Sequence, residues 1–196
     1  SRRSSSTPSR RPPAGRPHYY AGTMDNGGPY GAPQDALTLW KFQADFVTPA
    51  NSTFTLANTL PVAAFDSIFP CTPSSRACIP QLGTANKLDI LSYRQRAMHR
   101  LAYRNYGTHE SLVTNQSVEA VAGIAGLRWY EVRSPNASPV VFQQGTYAPG
   151  ATDGIHRWMG SIAADKNGNM ALGYSVVNAT DVFPGIRYTG RLAGDP

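Results

Sequence analysis

The chain has 196 residues, of which 41% are hydrophobic and 15% charged, so it is long enough for one domain and most of it is expected to fold. Its net charge of +6 is concentrated at the start: five of its 18 Lys and Arg residues lie in residues 1–17, leaving 13 basic against 12 acidic residues in the remainder. This near-neutral remainder gives no case for a specific nucleic-acid-binding domain, and the absence of any run of about 18 apolar residues excludes a membrane-spanning helix.

Residues 1–34 are predicted to be a disordered tail and linker, and residues 35–196 the folded part. The opening stretch "SRRSSSTPSRRPPAGRP" is rich in Ser, Arg and Pro and has no apolar periodicity. Such a composition cannot bury enough apolar surface to order itself. The stretch also lacks an initiator Met and the apolar centre of a signal peptide, so we expect that the chain does not start at a natural N-terminus.

The segments that follow are short, β-branched or aromatic, and separated by Gly, Pro, Asn and Asp, which predicts an all-β fold. Residues 37–46 and 52–60 are the first strand candidates. An insertion at about 61–87 carries Cys71 and Cys78, and the Pro and Ser residues between them suit a small closed loop. A disulfide between them fits an exported protein, extracellular or periplasmic, and a metal site is less favoured because no further ligand lies nearby.

The second half of the chain shows an internal repeat of about sixty residues. Residues 99–118 align with residues 159–176, bringing Gly107 onto Gly168, and "GLRWYEV" aligns with "GIRYTGR" further on. Each unit reads as three strands separated by a Gly turn and a looser link, and residues 139–147 supply a fourth strand in the first unit.

Antiparallel four-stranded units at a fixed period are typical of β-propeller blades. The sequence thus predicts a partial β-propeller of about two and a half to three blades, with a β-sandwich as the alternative. Because closed propellers contain roughly four to eight blades, we expect either a larger propeller of which this is the C-terminal part, or self-association of several copies to close the ring.

Five stretches carry a resemblance to a known group of proteins: "LAYRNYGTHESLVTNQSV", "GLRWYEVR", "QQGTYAPG", "HRWMGSIAADKNGNMALGYSV" and "GIRYTGRLAGDP". In that order they resemble the C-terminal propeller region of large exported bacterial proteins, mostly uncharacterised, from soil and gliding bacteria. The resemblance covers about residues 36–196. It implies a secreted propeller of which this chain carries only a part, and it implies no catalytic residues because the family has no settled activity.

The polar centre of "AADKNGNMALGY" permits two interpretations. Asp165, Asn167 and Asn169 alternate around Gly168, as the oxygen ligands of a calcium loop do, although the later Glu of an EF-hand is absent. Asn-Gly is also the favoured centre of a two-residue hairpin turn. The corresponding turn of the earlier unit has Arg104 in place of the Asp, so a single calcium ion is the only cofactor the sequence offers.

Two further sites contain residue types used in catalysis. His156 follows Asp153 and precedes Arg157 and Trp158, and a carboxylate, an imidazole and a guanidinium at a channel mouth can bind or hydrolyse a polar ligand. His99-Arg100 occupies the matching place in the earlier unit, which also fits a structural role. His109 stands beside Glu110 and Ser111, but adjacent strand residues point to opposite faces and cannot form a triad among themselves.

These observations predict an extracellular propeller segment that binds a small molecule, a carbohydrate or another surface ligand, with Arg157, Trp158 and Asp153 as the binding residues. The alternative is a calcium-dependent hydrolase of lactones, esters or glycosides, in which Asp165, Asn167 and Asn169 hold the metal and His156, or less favourably His109, is the general base. A third interpretation is a structural segment of a large surface protein.

Overall fold

The computed structural model describes residues 17–67, 77–90 and 96–195. Over these residues the protein is all-β, with twelve strands in four antiparallel sheets and one short α-helix, so the all-β part of the predicted fold class is confirmed. Within each sheet, consecutive strands pair with each other, and none of the described sheets closes on itself. No helix in the described ranges is long and apolar enough to cross a membrane.

The strands fall into three larger sheets and one hairpin. Sheet I contains β1 His18–Met24, β2 Ala36–Gln43 and β3 Thr53–Pro61. The hairpin contains β4 Ala77–Gln81 and β5 Thr84–Asp89. Sheet II contains β6 Ala102–Asn105, β7 Glu110–Val121, β8 Ile124–Arg133 and β9 Val140–Tyr147. The helix α1 Gly150–Asp153 leads to sheet III, which contains β10 His156–Ala164, β11 Met170–Val177 and β12 Gly185–Arg191.

Sheet II is the middle layer and packs on both sides. One face joins sheet I in a cluster of Leu37, Leu39, Leu60, Leu112, Tyr130 and Val132. The other face joins sheet III in a cluster that includes Val113, Leu127, Ile162, Leu172 and Val176. Because both faces are covered, β7 is buried almost continuously instead of at alternate positions. Burying each large side chain contributes about 1.5–3 kcal/mol, so sheet II is the energetic centre of the fold.

The β4–β5 hairpin covers one end of sheet III. Cys78, Ile79 and Ile90 pack there against Trp158 and Val177. Cys71 lies outside the described residues, so the predicted Cys71–Cys78 disulfide stays a prediction. The hairpin falls largely within the insertion expected at about 61–87.

The predicted tail needs correction, because His18–Met24 is a strand. It pairs with β2 without a break, from His18 opposite Phe42 to Met24 opposite Ala36. Tyr19 and Ala21 lie against the core between sheets I and II. The Arg-rich composition of the preceding residues obscured this short apolar alternation. Residues 1–16 of the predicted tail lie outside the described residues.

The strand count per sheet also differs from the uniform four-stranded unit expected from the repeat. Among the described residues only sheet II has four strands, while sheets I and III have three and the hairpin has two. The two glycines that the repeat aligns, Gly107 and Gly168, have the same φ of +88°. Both end a hairpin turn in the left-handed region that favours glycine.

Candidate functional site

Asp153 and Arg157 come together at the start of sheet III. The chain leaves α1 through Gly154, whose φ of +65° reverses its direction, and this turn places Asp153 beside the first residues of β10. Arg157 donates from Nη2 to Asp153 Oδ2 at 2.7 Å and from Nη1 to Asp153 Oδ1 at 3.1 Å. Hydrogen bonds from the Arg157 guanidinium hold the pKa of the Asp153 carboxyl below its usual value. This bidentate salt bridge holds the α1–β10 connection in place.

His156, Arg157 and Trp158 are buried at the same place. His156 and Arg157 are each 4% exposed, and Trp158 is 6% exposed. The His156 Nδ1 accepts a hydrogen bond from the Ala125 N–H at 3.3 Å, and burial lowers the pKa of its imidazole. Arg157 also donates to the Ile155 carbonyl at 2.8 Å. The predicted side chains are therefore adjacent, but His156, Arg157 and Trp158 are buried in the protein, and only Asp153 is exposed.

The Asp165 loop is a hairpin turn closed by its own hydrogen bonds. Asp165 Oδ1 accepts from the N–H groups of Asn167 and Asn169, and Oδ2 accepts from the Asn169 side-chain amide. These bonds, led by the one from the Asn169 side chain, lower the pKa of Asp165. The Asn169 amide oxygen in turn accepts from the Ala193 N–H. The Asp165 and Asn169 oxygens that were considered as calcium ligands thus accept hydrogen bonds within or beside the turn.

The hairpin prediction holds, but the turn is longer than two residues. Asp165 and Asn169 close it through an N–H···O=C bond of 2.8 Å, and Gly168 N–H donates to the Asp165 carbonyl. Gly168 has positive φ, whereas Asn167 does not. The loop is therefore a three-residue type with glycine in the left-handed position, and not the two-residue turn centred on Asn167-Gly168.

His109 and Glu110 point to different partners. The His109 ring stacks on Tyr106 with centroids 4.7 Å apart, and its pKa is lowered by burial and by the Arg133 charge. Glu110 accepts from the Tyr103 hydroxyl at 2.6 Å and from the Asn136 amide at 2.8 Å. Across the described part of the chain, no group of three or more His, Cys, Asp and Glu side chains is placed to hold a metal ion.

A cleft that the sequence analysis did not single out lies between sheets II and III. Its walls are residues 96–100, which precede β6, and residues 159–161 of β10; we call it the Arg96 cleft. Its volume is about 420 Å³, within the range of roughly 300–1,000 Å³ typical of small-ligand sites. Three exposed basic side chains line it, those of Arg96, His99 and Arg100.

Strand β7 holds both walls of the Arg96 cleft through hydrogen bonds. The Met98 N–H donates to the Asn115 carbonyl at 2.7 Å, and the Thr114 hydroxyl donates to the Arg100 carbonyl at 3.2 Å. On the other side the Met159 N–H donates to the Ser117 hydroxyl at 3.0 Å. Both walls are therefore attached to a strand that is buried on both faces.

The β10 wall is irregular. The β10–β11 register shifts between Trp158 and Ser161, and Met159 has a φ of +52°, which a side chain other than glycine rarely adopts. At Gly160 a methyl group would overlap the Asn115 amide oxygen and would lie 2.9 Å from Leu172 Cδ1. The bulge therefore depends on glycine at position 160, and it turns the Met159 and Ser161 positions toward the cleft.

One signal in the sequence pointed to this cleft. Each repeat unit has a His-Arg pair near its start, His99-Arg100 in the first and His156-Arg157 in the second, so the same residue pair occurs at two comparable places. Sequence periodicity does not reveal which of the two pairs a neighbouring sheet covers. The sequence-based prediction placed the site at His156 and Arg157, which the structure shows to be buried. Comparisons of the chain with protein-family models, with curated proteins and with solved structures find no match.

Proposed function

We propose that the chain is a propeller-like segment of an exported bacterial protein and that it binds a carbohydrate or another surface ligand in the Arg96 cleft. The observation that carries the proposal is the cleft itself. It is open, it is lined by exposed basic side chains, and its two walls are fixed to one buried strand. A rigid frame that presents loop side chains is the usual basis of a binding site.

The packing of the sheets supports the propeller-like part of the proposal. Three antiparallel meanders lie face to face with the middle one covered on both sides, as neighbouring blades are. The outer faces keep exposed apolar side chains: Tyr20 and Phe54 on sheet I, Ile186 and Tyr188 on sheet III. Further blades, from a longer chain or from additional copies, would cover these faces.

Binding is favoured over hydrolysis by the state of the candidate catalytic groups. Asp153 is paired with Arg157, His156 is buried with its Nδ1 engaged, and Asp165 closes its own turn. A general base must reach a substrate proton, and a metal ligand must offer oxygens that are not already used. In this arrangement Asp153, His156 and Asp165 are engaged within the protein and are not placed to act as a general base or a metal ligand.

The experiment is retention on an array of neutral and acidic glycans, read with the fluorescently labelled 196-residue protein. We expect selective retention that is reduced in the Arg100→Gln variant, with the arrayed glycans chemically unchanged afterwards. No retention on any glycan would contradict the proposal. Cleavage of a retained glycan would instead favour the hydrolase.

A further inference from the structure

We infer that the ligand of the Arg96 cleft is an acidic glycan, held through its carboxylate or sulfate groups by Arg96 and Arg100. The inference rests on the proposed function and specifies the chemical class of its ligand. It begins with charge. Among the residues that line the cleft in the described part of the chain, Arg96, His99 and Arg100 are basic and none is acidic.

The two arginines suit anionic groups on a sugar. A guanidinium is always charged at neutral pH and presents paired N–H donors that match the two oxygens of a carboxylate or sulfate. Both side chains are exposed, and the backbone on each side of His99 is bonded to β7, at Met98 and at Arg100. The Arg100 donors therefore start from a fixed backbone, which reduces the ordering cost of binding.

The rest of the lining suits a sugar better than a nucleic-acid strand. Single-stranded nucleic acids are bound by basic grooves in which aromatic side chains stack on the bases. Apart from the three basic residues, the described lining offers no Trp, Tyr or Phe and consists of Ala97, Met98, Met159, Gly160 and Ser161. The Ser161 hydroxyl and the apolar side chains fit the mixed polar and apolar surface of a pyranose ring.

Two local costs in stability meet at this cleft. Met159 has positive φ, a conformation that is strained for any residue other than glycine. Both polar atoms of the Asn115 side chain are buried without a hydrogen-bond partner among the described residues, which is unfavourable for the folded state. Residues held in such states cluster at ligand sites. Both features adjoin the β10 wall of the Arg96 cleft, where the Asn115 amide lies behind Gly160; Met159 also lines the neighbouring cleft beside Trp158.

The test is isothermal titration of the full chain at low and high salt with four probes: hexagalacturonate for carboxylates, a κ-carrageenan hexasaccharide for sulfates, cellohexaose as the neutral sugar, and a dT12 oligonucleotide. We expect one of the two acidic sugars to bind and the binding to weaken as salt is added. Which acidic sugar binds more tightly distinguishes carboxylate from sulfate recognition.

The variants are Arg96→Gln/Arg100→Gln and, as a control with the same loss of charge, Lys166→Gln/Arg187→Gln, whose side chains are exposed outside the cleft. Loss of charge-assisted hydrogen bonds in the first variant weakens acidic-sugar binding at least about tenfold. The control keeps the wild-type affinity.

Equal binding of cellohexaose, or equal losses in both variants, would overturn the inference while leaving the proposed binding function in place. Binding of dT12 as tight as that of the acidic sugars would overturn it in favour of a general polyanion surface. Binding of no sugar at all would contradict both the inference and the proposed function. Unfolding curves of both variants verify that they are folded in each titration.

Discussion

The two His-Arg pairs of this chain have opposite surroundings. His156-Arg157 opens β10 and is buried, with Asp153 supplying a carboxylate to the guanidinium. His99-Arg100 precedes β6 and is exposed on the wall of the Arg96 cleft. The same two side chains therefore stabilise the fold at one place and are available to a ligand at the other.

The two His-Arg pairs differ in burial because different structural elements surround them. β10 packs against β7 and β8, and the short helix before it brings Asp153 within reach of Arg157. The segment 96–100 is attached to β7 through main-chain groups, so its side chains remain outside. A buried arginine requires an anion from the protein, whereas an exposed one can take its anion from a ligand.

The largest expected effect separates the two arginines by stability. Arg157→Met removes the buried guanidinium of the Asp153–Arg157 ion pair. We expect the free energy of unfolding to fall by about 2–4 kcal/mol. Arg100→Met, which removes no described side-chain contact of the protein, is expected to change it by less than about 0.5 kcal/mol. Urea unfolding measures the free energy of unfolding of both variants. Equal losses in the two variants would contradict the proposed distinction between the two His-Arg pairs.

The second prediction concerns the wall of the cleft. Gly160→Ala forces a methyl group onto Asn115 and Leu172, and overpacking of this kind costs about 1–3 kcal/mol. Gly173→Ala in the next strand is the matched control, because a methyl group there meets nothing within 4 Å. Thermal unfolding of the two variants is compared. A neutral Gly160→Ala would show that the bulge does not need glycine.

The third prediction uses pH to mark the buried histidine. Burial lowers the pKa of His156 below the ordinary value of about 6.5, so the unfolded chain takes up a proton at a higher pH than the folded chain. This contribution to stability is present above about pH 6.5 and is lost as the pH falls through the folded-state pKa.

His156→Gln retains an acceptor for the Ala125 N–H and does not titrate. Between pH 7 and pH 5, the free energy of unfolding of this variant is therefore expected to fall less than that of the wild-type protein. His109→Gln serves as the comparison, since the pKa of His109 is also lowered but its side chain is less buried. A larger effect from His109 would reverse the assignment.

The smallest effect is expected at the Asp165 turn. Its carboxylate is exposed and bonded to its own loop, so Asp165→Ala removes turn hydrogen bonds at the surface and shifts Tm only slightly. Millimolar calcium or EDTA is expected to leave the wild-type Tm unchanged. A rise of the wild-type Tm with calcium that is absent in Asp165→Ala would support the calcium-loop interpretation instead.

Short-range patterns predicted the local elements of this fold. Strands β2, β3 and β9 agree closely with the stretches chosen from composition, and the glycine of the Asp165 hairpin was placed correctly. These features depend on residues a few positions apart. Strand β1 was missed because its order depends on pairing with β2 and on packing against sheet II.

The site was harder to predict because exposure is a long-range property. Burial of His156-Arg157 follows from β7, β8 and the α1 turn, and exposure of His99-Arg100 follows from the open edge between sheets II and III. The unpartnered amide of Asn115 and the positive φ of Met159 likewise arise only where two sheets meet. No spacing rule in the sequence carries that information.

The most direct test of the contrast between the two pairs is a titration followed by two-dimensional amide NMR. The 21.1 kDa protein is small enough for residue-by-residue assignment. On addition of the acidic hexasaccharide that binds, the account predicts shifts of the amide signals of residues 96–100 and 159–161, with those of Asp153, His156 and Arg157 unchanged. Shifts confined to the Asp153–Arg157 pair, with residues 96–100 unaffected, would contradict it.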